Sequence, residues 1–135
     1  MATIQQEFEV PAAAEEVWAA LRDFGAVHEK LATGFVTGCV LEEEGAVRLV
    51  TFFNGMQARE RLVTVDDAAH RIVYTAFGGR TTHHNASAQV VPLAAERCRF
   101  VWTTDLLPDA IAPAMAQMME RGAEAMRSAL TPPAR

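Results

Sequence analysis

The chain has 135 residues, of which 50% are hydrophobic and 21% charged, a profile that fits one globular domain over residues 1–135 burying about two-thirds of its unfolded surface. A net charge of -5, a pI near 5.3 and 12 Lys and Arg residues scattered singly argue against nucleic acid as a partner. No apolar run reaches the roughly 18 residues of a membrane span, and residues 1–7 lack the regions of a signal peptide, so a cytoplasmic protein without membrane insertion is expected.

Ile4, Phe8 and Val10 alternate with polar residues over 3–10, the period of a first strand, which Pro11 ends. Ala14, Val17, Trp18 and Leu21 follow at helical spacing, with Glu15 and Glu16 at the positive end of the dipole, and predict a helix from about Pro11 to Phe24. Gly25 breaks it, and residues 26–32 make a second short helix that Thr33-Gly34 stops. From there to Thr104, runs rich in Val, Phe, Thr, Ile and Tyr are punctuated at 43–45, 54–55, 66–68, 78–79 and 92–95. Six successive strands with short connections give an antiparallel meander. After Pro108, Ile111, Met115, Met118, Met119, Gly122 and Met126 fall on one side of a helix of about 20 residues, which Pro132-Pro133 closes. Cys39 and Cys98 stand far apart with no Cys-x-x-Cys spacing and read as two buried, unpaired side chains.

Side chains alternate across a strand, so polar positions mark the wet face. In the sixth strand Asn85, Ser87 and Gln89 share that face, leaving His84, Ala86, Ala88 and Val90 inside; in the seventh, Arg97 and Arg99 lie outside and Cys98, Phe100, Trp102 and Thr104 inside. In the stretch Ala58-Arg59-Glu60-Arg61-Leu62, the two arginines are too costly to bury unpaired, which turns Glu60 inward with Ala58 and Leu62. A three-residue loop Asn54-Gly55-Met56 sets Val50 opposite Glu60 and Arg48 opposite Leu62, so that Arg48 reaches Glu60 diagonally on the inner face. The inward alanines Ala58, Ala76, Ala86 and Ala88 leave space under the last helix, which either the methionine face fills or a ligand occupies.

The order of these elements resembles the START/SRPBCC superfamily, the helix-grip fold shared with the birch-pollen allergen, over essentially the whole chain. Phe8-Glu9-Val10-Pro11-Ala12 followed by Val17-Trp18-Ala19-Ala20-Leu21, Arg99-Phe100-Val101-Trp102-Thr103 and Gly122 are similar to the polyketide cyclase/dehydrase-like branch. The resemblance implies an α+β fold in which a seven-stranded curved antiparallel sheet surrounds a long C-terminal helix, with two short helices between strands one and two. It also implies an apolar pocket between sheet and helix. Arg59-Glu60-Arg61-Leu62, Asp66-Asp67 and Phe77-Gly78-Gly79 are more distantly similar to plant abscisic-acid receptors, in which the residues matching Glu60 and Arg48 face the ligand. Asn54-Gly55-Met56 and Thr81-Thr82-His83 depart from the loops of those receptors, so their hormone-sensing mechanism is not implied.

The expected ligand is a small hydrophobic or aromatic molecule, polyketide- or lipid-like, with no cofactor. Arg48 would take an anionic oxygen, Tyr74 and His84 would orient polar groups, and Val50, Phe52, Ala58, Leu62, Ala76, Ala86, Ala88, Phe100 and Trp102 would form the sheet wall. Met115, Met118, Met119 and Gly122 would form the helix wall. A cyclase or dehydratase would use Glu60 or His84 as general base and Arg48 to stabilise an enolate; the alternative is an Arg48–Glu60 pair that only fixes the sheet. His83 and His84 face opposite sides, and no His, Cys or carboxylate group has ligand spacing, so no metal is expected. Val47, Leu49 and Phe53 on the outer side of the third strand fit an interaction module, a covered strand or a homodimer contact.

Overall fold

Turns of a few residues between strand-forming runs leave only antiparallel pairing, because a parallel return needs a crossover of roughly a dozen residues. The computed structural model, which describes residues 1–133, places seven strands in one sheet. They are β1 Ala2–Val10, β2 Val36–Glu42, β3 Val47–Phe52, β4 Gln57–Asp66, β5 Arg71–Phe77, β6 His83–Ala94 and β7 Arg97–Leu107, in the spatial order β1-β7-β6-β5-β4-β3-β2. Strands β2 to β7 form the meander, and β1 pairs with β7 from Ala2 opposite Leu106 to Val10 opposite Cys98. Helix α1, Ala14–Arg22, and a π-helical turn at Val27–Leu31 separate β1 from β2, and α2, Ala112–Leu130, follows a short turn at Asp109–Ile111. This is the helix-grip arrangement that the sequence implies.

Helix α1 starts later than the expected Pro11, because Ala13 is still extended. It buries Ala14, Val17, Trp18 and Leu21, and the Trp18 indole N–H donates to Asp67 at 2.9 Å beside Arg22 at 2.8 Å, which ties the helix to the β4–β5 turn. Helix α2 turns Met119, Gly122, Ala123 and Met126 inward and Gln117, Glu120, Arg121, Glu124 and Arg127 outward. A Cβ on Gly122 would meet Phe35 at 3.0 Å and Trp102 at 3.1 Å, so the missing side chain is what lets α2 rest on those rings. Gly25 has the same use against Leu41, where a Cβ would stand 2.8 Å away. Val10, Ile72, Val90, Phe100 and Leu106 are fully buried, each contributing about 1.5–3 kcal/mol of transfer free energy.

The alternation reading holds: His84, Ala86, Ala88 and Val90 are buried on β6, Cys98, Phe100 and Thr104 on β7, and Arg59 and Arg61 are exposed around a half-buried Glu60. The hairpin register differs from expectation by two residues, with Arg48 directly opposite Glu60 and Val50 opposite Ala58. Phe53 leaves the strand, its N–H donating to the Phe35 carbonyl at 2.9 Å and its ring packing 5.9 Å from Phe35 under Arg121, so the loop runs from Phe53 to Met56. An even offset preserves which side chains face inward. The expected break at 92–95 is also displaced, since β6 continues to Ala94 with a bulge after Pro92. Pro92 is tolerated there because the β5 ladder has already ended at Gln89. Cys98 is buried, but Cys39 on the edge strand β2 is only half-buried, and both are free thiols. Nor do Val47, Leu49 and Phe53 form one exposed apolar face: Val47 is fully buried and Leu49 half-buried.

Candidate functional site

Cross-strand pairing brings Arg48 and Glu60 together on the inner face, where Arg48 Nε–H donates to Glu60 Oε1 at 2.7 Å. A second Arg48 N–H reaches the Phe24 carbonyl at 3.2 Å, and the guanidinium lies 4.1 Å from the Phe24 ring centroid and 5.0 Å from that of Tyr74. Charge, planar donors and exposed ring faces together make this a suitable place for an arginine and a poor one for a lysine. The pair is largely dry, with side-chain exposures of 7% and 13%.

Next along the same face, β5 and β6 set Tyr74 and His84 side by side with ring centroids 6.3 Å apart. The Trp102 indole N–H donates to the Tyr74 hydroxyl at 3.0 Å, and the Ala76 N–H donates to His84 Nδ1 at 2.9 Å. With Nδ1 accepting, the neutral ring carries its proton on Nε2 and keeps that one N–H to donate. Burial pushes its imidazole below the ordinary histidine range, opposed by Glu60. Burial, reinforced by Glu60, pushes the Tyr74 phenol well above its ordinary value. Both groups are therefore neutral near pH 7.

These groups line a cavity of about 620 Å³ between the sheet and α2. The methionine face borders this space without filling it. Of the expected wall, the structure places Arg48, Val50, Phe52, Ala58, Glu60, Tyr74, Ala76, His84, Ala88, Phe100 and Trp102 on the sheet side and Met115, Met118, Met119 and Gly122 on the helix side. Leu62 and Ala86 are the two that do not line it. Ala86 is wholly enclosed in the core, and Leu62 packs against that core just before the bulge that interrupts β4.

Ile72 and Leu49 line it from β5 and β3, and several further lining residues escaped the strand argument because they come from outside the strands. Leu21, Val27 and Leu31 come from the helical segments and Phe35 from the turn before β2, and the apolar spacing of the first three is the signal that was available. Exposed Met56 from the β3–β4 loop, and Phe77, Gly78, Gly79 and Arg80 from the end of β5 and the β5–β6 loop, line its solvent-facing side. The Phe24 carbonyl has no side-chain signal at all. Among the described residues no three His, Cys, Asp or Glu side chains gather as metal ligands, and no helix is long and apolar enough to cross a membrane.

A curved antiparallel sheet wrapped on a long C-terminal helix, with an internal cavity between them, defines a START/Bet v 1-type helix-grip protein. Residues 1–131 match the family described as polyketide cyclase / dehydrase and lipid transport, and the chain belongs to that family. A comparison with curated proteins gave no match. Among solved structures the chain is similar to an uncharacterised Bacillus thuringiensis protein (TM-score 0.84, 20% identity, 96% of this chain and 98% of that one). It is also similar to a Thermobifida fusca protein (0.78, 29%, 96% and 91%) and to norcoclaurine synthase from Thalictrum flavum with a transition-state analogue (0.72, 19%, 96% and 93%).

Proposed function

We propose that the chain binds a small hydrophobic or aromatic molecule in the cavity between sheet and α2. The observation that carries this reading is a space of about 620 Å³ with apolar walls and a few convergent polar groups, since packed interiors leave few voids larger than a water molecule. Membership of a family described by polyketide and lipid chemistry supports the same ligand class. Native mass spectrometry and thermal unfolding with a panel of naphthols, flavonoids and fatty acids test it. Saturable 1:1 binding that Ala58→Leu and Ala76→Leu abolish, by filling the space, is the expected result. Binding unaffected by both substitutions would place the ligand elsewhere.

A second reading, cyclase or dehydratase chemistry, is favoured by one observation. Glu60 spends Oε1 on Arg48, while Oε2 has no protein partner among the described residues. As a general base Glu60 would take a proton from an acidic carbon beside Arg48. Turnover unchanged in Glu60→Gln would remove it from that role.

A further inference from the structure

The polar wall of the cavity is unevenly satisfied. Arg48 and Glu60 neutralise each other at 2.7 Å, and the other lining cations, Arg59 and Arg80, are exposed. Tyr74 and His84 are the neutral members of this wall: each is at least nine-tenths buried, and each keeps one donor with no protein acceptor among the described residues, whereas the free donors of Arg48 Nη2 belong to a cation already paired with Glu60. The Tyr74 hydroxyl receives the Trp102 N–H and has its own proton to give; His84 Nδ1 receives the Ala76 N–H and leaves Nε2–H to give. Both line the cavity from adjacent strands.

Resting on the reading of this cavity as a ligand site, we infer that Tyr74 O–H and His84 Nε2–H jointly bind the carbonyl oxygen of a neutral aromatic ketone, and that the pocket rejects the matching carboxylate. A carbonyl oxygen offers two lone-pair directions, which two neutral donors on one wall can satisfy together. A carboxylate, in contrast, would bring a charge beside an arginine already matched by Glu60, and burying it unpaired is costly. This replaces the expectation that Arg48 takes an anionic oxygen. Burial favours the neutral forms of both groups, and each neutral form keeps one proton to donate.

Three probes sharing one ring system test this: 9-fluorenone, fluorene and fluorene-9-carboxylate, titrated into the full chain by calorimetry, with the carbonyl stretch of bound fluorenone read by infrared difference spectroscopy. Fluorenone is expected to bind most tightly. Tyr74→Phe and His84→Asn, the latter keeping an acceptor for the Ala76 N–H, each lower the fluorenone-to-fluorene preference by about three- to tenfold. They also raise the bound carbonyl frequency, and they lower fluorenone affinity more than fluorene affinity. Equal affinity of wild type for fluorene and fluorenone overturns the carbonyl assignment while leaving the cavity reading intact. Tighter binding of the carboxylate overturns it in favour of an anion site, and no binding of any probe overturns both readings.

Discussion

Three consecutive residues of β4 each hold an ion pair, and the middle one lives in a different environment from its neighbours. Arg59–Glu42 at 2.9 Å and Arg61–Glu43 at 3.2 Å lie on the outer face with arginine exposures of 50% and 45%, whereas Glu60–Arg48 at 2.7 Å lies inside with exposures of 13% and 7%. The chemistry is the same, but the surroundings are not. Outside, water screens the charges and the long side chains must be ordered, so such pairs hold little free energy. Inside, two aromatic rings and the Phe24 carbonyl complete the arginine's surroundings, and removing one partner strands the other. One strand thus carries a solubilising surface on one side and the polar wall of a cavity on the other.

The largest effect separating these faces should come from breaking the inner pair. Arg48→Met alone is expected to destabilise the chain by about 3–5 kcal/mol in denaturant unfolding, and Arg48→Met with Glu60→Leu to recover most of that loss. Equal losses in the single and double variants would mean that the pair's charge balance is not what matters. Tyr74→Phe comes next, since it leaves the Trp102 N–H without its acceptor, for a cost of about 1–3 kcal/mol in the same assay.

Acid should then distinguish the inner face again. Burial lowers the folded-state pKa of His84 below the ordinary value of 6.5, so between that lowered value and 6.5 the unfolded chain binds the extra proton. Stability therefore falls as pH drops through this window, and a pH series of unfolding midpoints should show the loss in wild type and a shallower slope in His84→Asn. Asp67 acts in a separate, more acid window: the Trp18 indole N–H, then Arg22, hold its carboxyl below 3.8. The smallest effect belongs to the outer pairs, where Arg59→Ala or Arg61→Ala should barely move the unfolding midpoint, and that small shift should vanish in high salt.

Which side of β4 each charge takes was readable from the alternation Arg59-Glu60-Arg61, because burying an unpaired arginine costs more than burying a carboxylate that has a partner. The same logic located the buried faces of β6 and β7. Register was not readable, since Phe53 leaves the strand for a tertiary contact with Phe35 that no local turn rule contains. His84 as a pocket residue was visible in the sequence; its role as donor was not, for that follows from the backbone N–H of Ala76 occupying Nδ1. Small inward residues such as Ala58 and Ala76 hinted at space, but only the path of α2 over Phe35 and Trp102, set by Gly122, decides that the methionines stop short of filling it.

The most direct test of that space is methyl NMR of the six methionines during titration with an aromatic ketone. Met56, Met115, Met118, Met119 and Met126 line the cavity, and Met1 is exposed and does not line it. An open cavity predicts saturable ring-current shifts at the five lining methyls while Met1 stays still. No shift at those methyls, or equal shifts at all six, would contradict a ligand bound between the sheet and α2.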